Sequence, residues 1–125
     1  MRQNYHANAG HCFPLLVSPD SDRTKYIRSV GHPLGIRKAS EYKNHSFLIE
    51  PGESLILYTD GLIEALDFSQ TPIGFDRFMK MASECRHCDP ETFYHNLSTR
   101  HTSLTCVSED DTTIIVLNYR KKKNV

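Results

Sequence analysis

The chain has 125 residues and a mass of 14.4 kDa, the size of one ordinary domain. With 38% hydrophobic and 24% charged residues and a mean hydropathy of −0.49, it has the composition of a soluble folded protein and not of a disordered chain, and no apolar run approaches the roughly 20 residues of a membrane-spanning helix. The formal net charge is zero, yet residues 1–119 hold 11 basic against 15 acidic residues, a net −4, while Arg120, Lys121, Lys122 and Lys123 supply the remaining positive charge.

An acidic body without a basic stripe argues against a nucleic-acid-binding face. The basic tail, residues 120–125, reads as a solvated end. Residues 1–6 have no apolar run behind their charge, so a secretory signal is not expected and the location expected is cytoplasmic. Cys12, Cys85, Cys88 and Cys106 are then expected as reduced thiols. Cys85-Arg-His-Cys88 is a lone pair with no second pair to complete a zinc site, and it sits where a helical pattern ends.

In chain order, residues 4–17 read as extended: Tyr5, Ala7 and Ala9 alternate, then Phe13, Leu15 and Val17, with Gly10 interrupting. Residues 18–22 are a turn cluster and residues 25–30 a short strand. Residues 31–35, with two glycines and a proline, form a loop. Residues 41–50 alternate weakly and stop at Pro51-Gly52, a strong turn signal. Within residues 54–59, Leu55-Ile56-Leu57-Tyr58 is continuously apolar and suits a strand buried on both faces. Asp60-Gly61 ends it, and residues 62–66 begin a helix.

Phe75, Phe78, Met79, Ala82 and Cys85 fall at helical spacing and predict an amphipathic helix over 75–85. Asp89-Pro90 is an N-cap followed by proline at the first helical position. The helix behind it is expected to bury Phe93 and Leu97, with Leu104 a further candidate. Residues 112–119 are β-branched and apolar, and are expected as a central strand. The order predicts an α+β fold, a mainly antiparallel sheet covered by helices.

Candidate chemistry lies at two strand ends. Asp60 follows the apolar strand, and Asp110 and Asp111 precede the last one. If the two strands are antiparallel neighbours, these carboxylates meet at one sheet edge. A carboxylate cluster without histidine or thiol suits a hard cation, Mg²⁺ or Mn²⁺, more than Zn²⁺. The plainer reading is that Asp-Gly is a turn and Asp-Asp a loop.

Four blocks occur in this order: Asn8-Ala9-Gly10-His11; Pro33-Leu34-Gly35; Glu50-Pro51-Gly52-Glu53-Ser54-Leu55-Ile56-Leu57-Tyr58-Thr59-Asp60-Gly61-Leu62-Ile63-Glu64-Ala65; and Asp110-Asp111-Thr112-Thr113. Together they resemble the C-terminal half of the metal-dependent (PPM, protein phosphatase 2C-like) serine/threonine phosphatase domain, in the bacterial branch typified by the stage-two sporulation phosphatase E. The resemblance covers residues 1–119. It implies antiparallel β-sheets flanked by helices, forming part of a β-sandwich with a two-metal centre of Mn²⁺ or Mg²⁺ at one edge. It also implies hydrolysis of phosphoserine or phosphothreonine in a regulatory protein, such as an anti-sigma-factor antagonist, through a metal-activated water. Carried over by motif, Asp60 and Asp110 are metal ligands and Asp111 is a third candidate. Glu64 is given a role at a helix N-terminus, and Asn8 and His11 one in a turn.

The chain departs from the pattern in one respect. The Asp-x-x-Gly-His-Gly block of the family's N-terminal half has no counterpart, since no aspartate precedes Gly10-His11. The expectation is therefore about half the metal ligands, weak or absent metal binding in this chain alone, and no activity without the rest of the domain. The alternative is a non-catalytic interaction or assembly module derived from such a domain. In either case strands left uncovered predict a homo-oligomer, with Leu55, Leu57, Ile115 or Leu117 near the contact.

Overall fold

The computed structural model describes residues 2–106 and 110–122; the end of the basic tail, residues 123–125, and Glu109 lie outside them. Six strands and three helices follow in the order β1 (Arg2–His6), β2 (Leu15–Val17), β3 (Lys25–Tyr26), β4 (His45–Ile49), β5 (Ser54–Tyr58), α1 (Gly61–Glu64), α2 (Gly74–Cys85), α3 (Pro90–Leu104) and β6 (Ile114–Asn118). A single 3-10 turn, Ser21–Arg23, precedes β3. All pairings are antiparallel: β1 pairs with β4, and a four-stranded sheet runs β3-β2-β5-β6.

The sheet is built around β5. Its apolar run has a neighbour on each side, with Leu15 opposite Ile56 and Ile56 opposite Val116. Strand alternation sends Leu15, Val17, Ile56 and Tyr58 to one face, where they meet Phe78, Met81 and Ala82 of α2 and Phe93 and Leu97 of α3. The opposite face holds Leu16, fully buried with Ile27 and Ile49, while Leu55 packs only partly against that cluster. Both helices form where periodicity placed them. Asp89 caps α3, its carboxylate accepting from the Thr92 N–H at 2.9 Å, with Pro90 at the first position.

Several expectations are corrected. The last strand is not central: β6 lies at the end of the described sheet and pairs only with β5, leaving Ile115 47% and Leu117 51% exposed. Its apolar residues on both sides show only that both sides are apolar, not that both are covered. Nor is β5 equally buried on both faces, since Ser54, Ile56 and Tyr58 are buried and Leu55 and Leu57 only half so. The strand expected over 25–30 is two residues long, with the Ile27 N–H donating to the Pro14 carbonyl beyond it. The helix expected over 62–66 is the single turn α1. Leu104 is half exposed, and His101, one turn earlier, takes the buried position. In α2 the buried stripe is Phe78, Met81, Ala82 and Cys85, and Phe75 is half exposed.

Among the described residues no helix is long and apolar enough to cross a membrane. All four cysteines are free thiols: Cys85 is buried at the end of α2 and Cys88 exposed beyond it.

Candidate metal centre

The antiparallel pairing of β5 and β6 brings the end of one strand beside the start of the other, with Tyr58 opposite Ile114. Three hydrogen bonds extend the contact past the strands. The Thr59 N–H donates to the Thr113 carbonyl at 3.1 Å. The Thr113 N–H donates to Thr59 Oγ1 at 2.9 Å, and that hydroxyl donates in turn to the Asp111 carbonyl at 3.4 Å. The segment before β6 is thereby held against Asp60-Gly61.

Gly61 permits the approach. A Cβ there would lie 2.9 Å from the Asp111 carbonyl oxygen and 3.5 Å from Asp110 Cβ, so a larger residue would push the two loops apart. Immediately after Asp60 the backbone winds into α1, with the Ile63 and Glu64 N–H groups donating to the Asp60 carbonyl at 3.0 and 2.9 Å. That one turn returns Glu64 over Asp60, since residues four apart share a helix face.

The outcome is a group of three exposed carboxylates. Asp60, Glu64 and Asp110 each present an oxygen, all within 4.8 Å of one another. Two of the three expected ligands, Asp60 and Asp110, come together. The third, Asp111, is outside the group: its N–H donates to Asp110 Oδ1 at 2.9 Å and its carbonyl faces Thr59. Glu64, given only a helix-terminus role from sequence, stands inside the group. Its spacing of four from Asp60, across a turn that starts at Asp60, is the signal that finds it. Burial, and then the nearby charges of Asp60 and Glu64, push the Cys12 thiol above its ordinary range.

The donor set fits a hard divalent cation. Two oxygens bound to one Mg²⁺ at roughly 2.1 Å lie no more than about 4.2 Å apart, so small side-chain rotations close the group. All donors are carboxylate, without the nitrogen or sulfur that favours Zn²⁺. With no cation the three charges repel.

Beside this edge is a cavity of about 320 Å³, lined among others by His6, Asn8, His11, Leu57, Thr59 and Thr113. Its loop wall is fixed by Asn8, which is buried. The Asn8 amide donates to the carbonyls of His11 at 2.9 Å and Ser29 at 3.2 Å, and its oxygen accepts from the His11 N–H at 2.7 Å. The Asn8 side chain thus holds the turn, and His11 takes part in it through its backbone N–H and carbonyl.

A family model described as "Stage II sporulation protein E (SpoIIE)" matches residues 2–120. The chain belongs to this family. No curated protein matches it. Three solved structures share the fold: the RsbU and RsbW domains of Rv1364c from Mycobacterium tuberculosis, at 24% identity and a TM-score of 0.75; the SiaA-PP2C domain of Pseudomonas aeruginosa, at 22% and 0.74; and the phosphatase domain of the cell fate determinant SpoIIE from Bacillus subtilis, presoaked with Mn, at 16% and 0.71. These matches cover 98%, 94% and 98% of this chain but 34%, 46% and 52% of the others. The chain therefore has the fold of part of a protein phosphatase 2C-like domain, and the expected helix-flanked antiparallel sheets stand.

Proposed function

We propose that this chain supplies one side of a metal-dependent phosphatase centre, with Asp60 and Asp110 as cation ligands and Glu64 beside them. The observation that carries this is the convergence of the three carboxylates at one sheet edge in a member of the SpoIIE family. Asp111 braces the site through its backbone, its N–H donating to Asp110 Oδ1 and its carbonyl accepting from the Thr59 hydroxyl. The hydrogen bonds of Thr59 hold the two acidic loops together, and Gly61 allows their approach. When bound, a Mn²⁺ or Mg²⁺ ion lowers the pKa of water and offsets charge on phosphoryl oxygens. The substrate class is a phosphorylated serine or threonine in a regulatory protein, a reading supported by the family and by the regulatory domains named among the structural neighbours.

Three carboxylates hold a hydrated ion only weakly. The isolated chain is therefore expected to bind Mn²⁺ in the millimolar range. It should hydrolyse p-nitrophenyl phosphate no faster than a metal-only blank. Electron paramagnetic resonance of free Mn²⁺ reads the binding: Asp60→Asn and Asp110→Asn should each abolish it, and Asp111→Asn should leave it near the original level. Equal binding by the Asp60→Asn variant and the parent chain would overturn the assignment.

A further inference from the structure

Glu64 reaches the carboxylate group from the end of α1, and α1 is one turn long. The turn's own hydrogen bonds run from the Ile63 and Glu64 N–H groups to the Asp60 carbonyl and from the Ala65 N–H to the Gly61 carbonyl, too few to keep a helix formed in water. Support comes from α3. Its buried residues run Phe93, Leu97, His101, at intervals of four, so a histidine stands where the first two positions are apolar. His101 is 6% exposed, and a polar group at that depth costs stability unless a partner meets it. The partner is the Leu62 carbonyl of α1, 2.8 Å from Nε2. A carbonyl only accepts, so Nε2 carries the proton of this bond. The end of α3 also holds the chain that leaves α1. The Thr105 hydroxyl donates to the His101 carbonyl at 2.9 Å, Thr105 bridges to Asp67, and the Cys106 N–H donates to the Leu66 carbonyl at 2.9 Å.

We propose that His101 is a positioning residue of the metal centre: by holding the Leu62 carbonyl it keeps α1 wound, and so keeps Glu64 against Asp60 and Asp110. This role rests on the reading of those carboxylates as a cation site. Leu62 and Glu64 lie in the same turn. If that turn opens, Glu64 moves off while Asp60, fixed at the end of β5, and Asp110, before β6, stay in place. Helix α3 is a firm base for the task, since Asp89 caps it and Phe93 and Leu97 are fully buried in the main core. A group that orients a carboxylate from outside the coordination sphere governs metal affinity without touching the ion. A histidine that only packs would affect stability alone, and its loss would leave the geometry of the acidic group unchanged.

The test compares His101→Leu, which keeps apolar bulk and loses the donor, with His101→Gln, which keeps a donor near the place of Nε2. Hydrogen exchange at the Glu64 and Ala65 amides reads α1 in the metal-free chain, and electron paramagnetic resonance of free Mn²⁺ reads the centre. In His101→Leu, with unchanged circular dichroism, both amides should exchange at least several-fold faster and Mn²⁺ should bind at least several-fold more weakly. His101→Gln should recover most of each. In a Glu64→Gln background, His101→Leu should weaken Mn²⁺ binding no further, because its effect passes through that carboxylate. His101→Asn, whose amide stops short of the carbonyl, takes the place of His101→Leu if the latter does not fold. Unchanged exchange at the two amides, equal losses in His101→Leu and His101→Gln, or an equal loss with and without Glu64 would each overturn the role of His101 alone. Mn²⁺ binding that Asp60→Asn leaves intact would overturn the cation reading itself, and this role with it.

Discussion

Gly61 and Glu53 show how single residues set this structure. At Gly61 a methyl group would meet the Asp111 carbonyl at 2.9 Å, closer than carbon and oxygen pack without displacement. Gly61→Ala is therefore expected to part the acidic loops and weaken Mn²⁺ binding at least several-fold while the chain stays folded, as a Mn²⁺ titration beside a circular dichroism spectrum would check. Unchanged affinity would mean that the loops are not held by that contact. Glu53 is an ion-pair residue with only 1% of its side chain exposed. Burial alone would raise its carboxyl. Arg23, donating from Nε at 2.6 Å and from the guanidinium at 3.3 Å, outweighs this together with the Glu50 N–H at 2.7 Å and Ser18, and the carboxyl sits below its ordinary range.

The sign of the pH effect follows from that direction. A carboxyl lowered on folding stabilises the protein above its unfolded pKa of about 4.3, and the stabilisation is lost as pH falls through the lower folded value. Urea midpoints should therefore drop between about pH 5 and pH 3 in the parent chain. Glu53→Gln, which leaves Arg23 without its closest partner, should cost about 1–3 kcal/mol at neutral pH and flatten that drop. A variant with the same acid profile as the parent would show that other carboxyls set it.

At the scale of elements, α1 is too short to be stable by itself, and its survival depends on neighbours. Its last carbonyls are orphans of the helix end. The Leu62 carbonyl accepts from Nε2 of His101 on α3 at 2.8 Å, a buried contact. His101→Ala should lose that bond and leave a cavity, costing about 2–4 kcal/mol by urea unfolding, and His101→Gln, which retains a donor, should recover part of it. Equal losses in both variants would assign the effect to packing alone.

The sequence showed β5, α2 and α3 clearly because each carries its own local signal: a continuous apolar run, a helical stripe, or an Asp-Pro cap. It missed the edge position of β6, since residue type reports what a face prefers and not what lies against it. It set Glu64 apart from Asp60 because its reading stopped at the helix terminus, although the four-residue spacing was present. It counted Asp111 with Asp110 by adjacency, and the backbone there sends only one of the two side chains into the group. His101 and Glu53 carried no signal at all, since buried pairing by a polar residue depends on partners distant in sequence.

At the scale of the whole molecule, the three carboxylates come from distant parts of the chain: Asp60 and Glu64 follow β5, and Asp110 precedes β6. They meet only while β5 and β6 are paired, so a cation held by all three binds the folded chain and not the unfolded one, and its binding is linked to folding. Mn²⁺ at ten times its dissociation constant should then stabilise the fold by about 1.4 kcal/mol, read as a rise in the urea midpoint beyond what NaCl of equal ionic strength produces by screening alone. Asp60→Asn, which removes a ligand, should remain folded and lose that rise. A midpoint that ignores Mn²⁺ while Mn²⁺ binds would mean that binding does not need the paired strands, and a rise that persists in Asp60→Asn would place the cation elsewhere.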